Sequence, residues 1–238
     1  MTPALGTPVL GTPALVTLHV WRIPAGRIPW ALLRMGTDRG RARRTPGVAF
    51  AKLLGTGDGR TFTARDSDPT RWAALTTWTS AEAAEHYAVA DRWDAVSSES
   101  WRLDLSPVSS RGEWSGRTPF GDPSPRRIRG PVVAITRARL TTRKAATFWR
   151  AVPPVSAQLH RSPGLLAAIG IGEAPVGLQG TLSVWRDGDA LRDFAHRGPE
   201  HVAAIRRTVT EGWYREELFA RFEVLGSAGT LDGRDPLA

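Results

Sequence analysis

The strongest constraint on this chain is an internal repeat. Gly47-Val48-Ala49 through Gly55-Thr56-Gly57 is matched by Gly164-Leu165-Leu166 through Gly170-Ile171-Gly172. Trp72-Ala73-Ala74-Leu75-Thr76-Thr77-Trp78 is matched by Gly180-Thr181-Leu182-Ser183-Val184-Trp185, and an acidic helix start follows each. Pro107–Phe120 is matched in the same way by Val224–Leu237. Shared order, spacing and glycine punctuation mark a duplicated supersecondary unit. Each half reads β, α, β, β, α, β, the split ferredoxin-like order. The expected class is α+β: two ferredoxin-like repeats fused in one chain as a pseudo-twofold α+β barrel. The repeats fall at 15–122 and 131–238, after a Pro/Gly-rich flexible tail at 1–14. Such a barrel leaves a space between sheet and helices in each half, and the fold alone does not name the chemistry done there.

Local patterns place the elements. Strands are expected at Leu15–Ile23, Val48–Leu54, Trp72–Trp78, Trp101–Pro107, Val132–Thr141, Leu165–Ile171, Leu178–Arg186 and Phe219–Leu225. A helix begins at Trp30–Met35 and ends near Gly36 or Gly40. Another covers Ser80–Val96, with Ser80 as its cap. Arg143–Val152 and Val155–His160 form a helix interrupted by Pro153-Pro154. Helices also fall at Asp189–His196 and, opened by Pro199, at Glu200–Trp213. Gly55 to Gly59 reads as a hairpin turn.

Composition excludes several chemistries. With no Cys among 238 residues, disulfides, zinc–thiolate sites, iron–sulfur clusters, Cys nucleophiles and thiolate-bound haem are ruled out. No apolar run approaches the ~18 residues of a membrane-spanning helix. The net charge is +9, but the basic residues are almost all Arg and spread along the chain. No nucleic-acid motif accompanies them, so a nucleic-acid partner is not expected. The cluster Arg39, Arg41, Arg43, Arg44 reads as a solvated loop. Ten Trp against two Tyr imply large apolar contacts, in a core or around a flat ligand.

Five histidines are present, without HxH or HExxH spacing, and no GxSxG occurs. His201 lies in the first turn of its helix, whose one side carries Ile205 and Val209. The helix dipole there disfavours imidazolium and leaves the neutral form that a metal needs. From spacing alone, His201 reads as a structural or surface residue before it reads as a ligand. Arg137 interrupts the apolar strand VVAITRARL, either as a solvated edge residue or as a partner for an anionic group. Trp149, Trp185 and Trp213 read first as core. Lys52, a lone charge in VAFAKLL, reads as a snorkelling side chain.

The stretch Trp213–Pro236 (WYREELFARFEVLGSAGTLDGRDP), with His201 upstream in GPEHVAAIRR, resembles the spheroidene monooxygenase family of carotenoid biosynthesis. Thr136-Arg137-Ala138, Phe148-Trp149, Pro154-Val155-Ser156, Ile169 through Glu173 and Ser183-Val184-Trp185 fit it too. So do Trp30-Ala31-Leu32 and Phe50-Ala51-Lys52 with Gly55-Thr56-Gly57. The resemblance covers nearly the whole chain after the tail. It implies a haem-dependent monooxygenase oxidising a hydrophobic small molecule, with electrons from a ferredoxin or reductase. It also implies kinship with dimeric α+β barrel haem proteins such as chlorite dismutase and aldoxime dehydratase, whose haem is held by a helical His of the C-terminal half. One b-type haem per chain is then expected, with His201 as axial ligand to iron. Arg137 would steer bound oxygen or a propionate, and Trp149, Trp185, Ile205 and Lys52 would line the pocket. The family has a His after Val155-Ser156, where this chain has Ala157. The alternatives are a haem dehydratase or peroxidase-like enzyme of specialised metabolism, and a cofactor-free barrel that binds a hydrophobic ligand. The expected location is cytoplasmic or membrane-peripheral, and the internal pseudo-dimer leaves pairing into a homodimer open.

Overall fold

A computed structural model describes residues 11–174, 180–197 and 210–238. The elements run β1 (Leu15–Arg22), α1 (Ile28–Arg44), β2 (Val48–Gly57), β3 (Ser67–Trp78), α2 (Ala88–Asp94) and β4 (Glu99–Gly112). The second half repeats the order with β5 (Val132–Leu140), α3 (Ala145–Arg161), β6 (Leu165–Gly172), β7 (Gly180–Trp185), α4 (Gly188–Arg197) and β8 (Tyr214–Gly229). All eight strands close into one antiparallel barrel in the order β1-β3-β2-β6-β7-β5-β8-β4. This is the expected pseudo-twofold α+β barrel.

The symmetry extends to single residues. Gly55 and Gly172 occupy matching places in the two halves and pair with each other across the β2–β6 seam. Gly47 and Gly164 have φ of +79° and +83°, and a Cβ on either would meet the Cβ of Ala83 or Ala190. At Gly112 and Gly229 a Cβ would strike the carbonyl of Glu217 or Ser100. Only glycine tolerates these positions. The turns after β4 and β8 also match: Glu216 accepts from the N–H groups of Ser115 and Gly116, and Glu99 from those of Asp232 and Gly233.

Strand alternation sorts the side chains into two layers. One face of every strand contributes to a single cluster, including Leu18, Leu54, Leu75, Leu103, Ile135, Ile171, Val184 and Phe222. A cluster fed by all eight strands of a closed barrel is the barrel interior. The other face packs under helices. In the N-terminal half it meets α1 and α2 through Trp21, Trp72, Trp78, Tyr87 and Trp93. In the C-terminal half a smaller set is buried, among them Val132, Leu159, Trp185 and Leu191.

Several elements differ from expectation. The helix at Ser80–Val96 is a 3-10 turn, Glu82–Glu85, followed by α2. Ser80 Oγ does accept from Ala83 N–H. The break falls at Tyr87, whose ring wedges edge-on against Trp78 while Thr76 donates to its hydroxyl. Pro153-Pro154 do not interrupt α3. Val152, Ser156 and Leu159 on either side of them are all buried, so packing of one face on the sheet holds the helix continuous. β8 is longer than expected because it pairs with β4 and β5 along its length. Gly55 to Gly57 belong to β2 rather than to a turn. The helix expected at Glu200–Trp213 falls largely outside the described residues.

Candidate functional site

The residues singled out from sequence fall into different layers. Lys52 alternates with Phe50 and Leu54 on β2, and Arg137 with Val133 and Ile135 on β5, so both point into the barrel. They are only 7% and 3% exposed. Glu173, at the end of β6, joins them. Its Oε2 accepts from Lys52 Nζ at 2.6 Å, and its Oε1 from Arg137 Nη2 at 2.7 Å and from Trp114 Nε1 at 2.8 Å. Lys52 also donates to Ser115 Oγ at 2.6 Å. The second terminal nitrogen of Arg137 donates to Glu216. The Trp114 ring lies 5.8 Å from Lys52 Nζ and 5.6 Å from Arg137 Cζ. Two buried cations and two half-buried carboxylates thus form a neutral quartet around an indole.

Opposing effects set the protonation of this quartet. For Glu173, burial raises the carboxyl pKa, but the Lys52 bond, the Lys52 and Arg137 charges and the Trp114 bond outweigh it, and the net shift is downward. For Glu216, burial also raises it, and the Ser115 and Gly116 N–H groups with Arg137 bring it below the usual range. Burial dominates at Lys52 and lowers its pKa despite Glu173.

This geometry corrects two expectations. Lys52 does not snorkel to water; it is ion-paired inside the barrel. The guanidinium of Arg137 lies on the opposite side of the sheet from α3 and α4 and is engaged by two carboxylates. It is therefore not placed to steer oxygen or a propionate in the outer layer. Trp185 does lie in that layer, fully buried, donating to Ser183 Oγ and lying 5.3 Å from Phe194. Trp149 is 41% exposed on α3 and faces outward. Trp213 is buried and donates to Thr147 and Glu211. His201 and Ile205 lie outside the described residues.

The informative feature of the outer layer emerges when the two halves are overlaid. On the outer face of the N-terminal sheet stand His19 and Trp21 of β1 and Leu53 of β2. The matching places in the C-terminal half hold Thr136, Ala138 and Gly170. A histidine, an indole and an isobutyl group are replaced by a hydroxyl, a methyl and a hydrogen. Thr136 is exposed in mid-strand although both its neighbours are buried, and Thr181 on β7 is partly open. The N-terminal layer is filled instead. His19 lies 5.5 Å from Trp21 and 5.9 Å from Tyr87, and the cavity beside it measures about 230 Å³. That is below the range of pockets for drug-sized ligands, roughly 300–1,000 Å³. Burial, with help from Arg102, pushes His19 down to about 3, so its imidazole is neutral.

The hairpin between β2 and β3 brings N-terminal residues to this side of the C-terminal half. Asp66 accepts from the N–H groups of Thr61 and Phe62 and fixes the tip. Phe62, at φ +55°, then stacks 6.2 Å from Phe148 of α3, which itself meets Trp213 and Tyr214. Gly59 backs onto Gly170.

Comparison with known proteins settles the family. The chain is 39% identical over 220 residues to spheroidene monooxygenase of Rhodobacter capsulatus, covering 89% of this chain and 90% of that protein. This chain belongs to the spheroidene monooxygenase family. Its membership makes it an oxidoreductase of the monooxygenase type. The spheroidene monooxygenase of Rubrivivax gelatinosus is 32% identical over 216 residues, covering 89% of this chain and 82% of that protein. No family model matches. Among solved structures, an aldoxime dehydratase in complex with butyraldoxime aligns with a TM-score of 0.57 at 10% identity, over 88% of this chain and 79% of that one. A second aldoxime dehydratase structure gives 0.54 at 11% identity, over 88% and 80%. These two likenesses speak for the fold. Among the described residues, no helix is long and apolar enough to cross a membrane.

Proposed function

We propose that the chain inserts oxygen into a carotenoid-like polyene, and that a b-type haem is held in the outer layer of the C-terminal repeat, residues 131–238. Family membership supports the reaction. The observation that supports the place is the replacement of His19, Trp21 and Leu53 by Thr136, Ala138 and Gly170. It thins the sheet floor in one half only, which fits a flat group lying between sheet and helices. The iron ligand is assigned to His201 on the family resemblance, which selects that residue.

A haem bound there would supply the oxygen chemistry that no side chain can perform. In that reaction one atom of O₂ would enter the polyene and the other would leave as water, with two electrons from a ferredoxin or reductase and two protons from solvent. The chain's own part is binding and exclusion. The small residues Ala134, Ala138, Ala168 and Gly170 let a planar group approach the sheet. Thr136 and Thr181 place hydroxyls on the same floor, able to donate a hydrogen bond to an oxygen atom above it. Phe62 and Phe148 offer an apolar wall suited to a hydrocarbon chain. Arg137 acts from inside the barrel, holding β5 to β6 and β8 through Glu173 and Glu216.

The test is turnover of spheroidene by the full chain supplied with haem, reductant and O₂, with products read by mass spectrometry. Gain of one oxygen atom by the polyene, lost in His201→Ala and kept in His160→Ala and His86→Ala, is the expected result. Normal haem content in His201→Ala would remove His201 as ligand. Absence of any oxygenated product would overturn the reaction.

A further inference from the structure

The outer face of α1 is built unlike the solvent face of an ordinary surface helix. Its inward stripe is Ala31, Met35, Asp38 and Ala42, all buried. Its outward stripe, at helical spacing, is Pro29, Leu32, Leu33, Gly36, Thr37, Gly40, Arg43 and Arg44. Leu33 is 63% exposed and Leu32 44%. Half-buried Trp30 flanks them, with Arg34 stacked over its ring. The loop leading in, Pro24 to Arg27, is exposed as well. The helix has one acidic residue, Asp38, and it is fully buried beneath Arg34, Arg41 and Arg92. The outer face therefore carries two adjacent leucines at one end, two arginines at the other, and no negative charge between them.

We propose that α1 is a membrane-docking helix that lies flat on an anionic lipid surface. Leu32 and Leu33 enter the acyl boundary, Trp30 sits at headgroup depth, and Arg27, Arg43 and Arg44 meet lipid phosphates. Charge complementarity selects this occupant: the exposed leucines near the start of the helix share one face with Arg43 and Arg44 at its end and have Arg27 just before them, and no carboxylate is exposed on α1. Two leucines without the arginines would fit a second copy of the chain equally well; the uncompensated arginines on the same face favour an anionic surface. The proposal extends the proposed function, because a polyene substrate dissolves in lipid and reaches the enzyme from a bilayer.

The experiment is co-sedimentation of the full chain with phosphatidylglycerol/phosphatidylcholine vesicles and with pure phosphatidylcholine vesicles, at low and high salt, without substrate. Binding to the anionic vesicles that falls with salt is expected. Leu32→Ser/Leu33→Ser and Arg43→Glu/Arg44→Glu should each weaken it by about tenfold or more. Arg192→Glu/Arg197→Glu on α4 removes the same charge elsewhere and should leave it unchanged. Equal loss in that control would reduce the effect to net charge and overturn the proposal, as would no binding to anionic vesicles. A dimer in size-exclusion chromatography that Leu32→Ser/Leu33→Ser dissociates would assign the face to a second copy instead. Turnover of detergent-dispersed polyene should be unchanged in the α1 variants, so failure of the docking surface and failure of the enzymatic reading are told apart.

Discussion

Replacing Glu173 by Gln keeps the side chain's shape and removes the charge that holds the barrel quartet together. The carboxylate receives three donors, from Lys52, Arg137 and Trp114, at 2.6–2.8 Å. Gln can accept at one oxygen only, and its NH₂ group must then face one of the two cations. The quartet passes from neutral to one net positive charge, with both cations still nearly inaccessible. Removing one partner of a buried pair costs about 3–5 kcal/mol. The Glu173 side chain is 27% exposed, so water relieves part of this and about 3 kcal/mol is expected. Lys52→Met should cost less, about 1–2 kcal/mol, since Phe50 and Trp114 offer it apolar contact and Glu173 keeps Arg137. The double variant should be more stable than the sum of the two losses predicts, by about 1 kcal/mol or more. The assay is equilibrium urea unfolding followed by tryptophan fluorescence. Because the folded Glu173 and Glu216 titrate below their ordinary 4.5, their contribution is present above that pH and is lost as pH falls through their folded values. In Glu173→Gln the acid limb should be shallower. A Glu173→Gln loss under about 1 kcal/mol with unchanged acid sensitivity would refute the account of the quartet.

Three other outcomes are expected. His19→Phe should cost little at neutral pH and improve acid stability: the wild-type imidazole titrates at about 3 when folded against an ordinary 6.5. Stability is therefore lost as pH falls between those values, by up to about 1.4 kcal/mol per pH unit, and urea unfolding at pH 7 and pH 4.5 should show a larger loss in the parent than in the variant. Gly47→Ala and Gly164→Ala should each destabilise by about 1–3 kcal/mol, because both have positive φ and meet an alanine Cβ at 2.4 and 2.7 Å; a thermal melt equal to wild type would contradict this. Thr136→Trp should preserve folding, read by circular dichroism, and abolish turnover by refilling the C-terminal floor.

The architecture was legible in sequence because duplication, strand alternation and glycine punctuation are all local patterns. Gly47 and Gly164 announced the repeat through their spacing, and the structure gives the reason: both must adopt positive φ against an alanine. The site was less legible. Arg137 stands out on an apolar strand, but period-two alternation does not say which face of a barrel strand is the interior. Its partners Glu173 and Glu216 lie far away in sequence, and only closure of the barrel brings them together. Trp114, in a Pro/Gly-rich connector, gave no sign that it plugs the barrel. The exchange of Leu53 for Gly170 was visible in the aligned repeats, yet its meaning depends on both facing the helices. The arginines of α1 read as a loop in sequence because Gly36 and Gly40 suggest a helix end, whereas the helix runs on to Arg44 with Asp38 buried and the leucines exposed.

The most direct test of the central claim is an absorption titration of the full chain with haemin, before and after dithionite and carbon monoxide, beside Thr136→Trp. The account predicts a Soret band that saturates at one haem per chain, shifts on reduction and CO binding, and is lost in Thr136→Trp. A wild-type chain that stays colourless, or a Thr136→Trp variant that binds haem as well as the parent, would contradict the placement of the cofactor in the C-terminal layer.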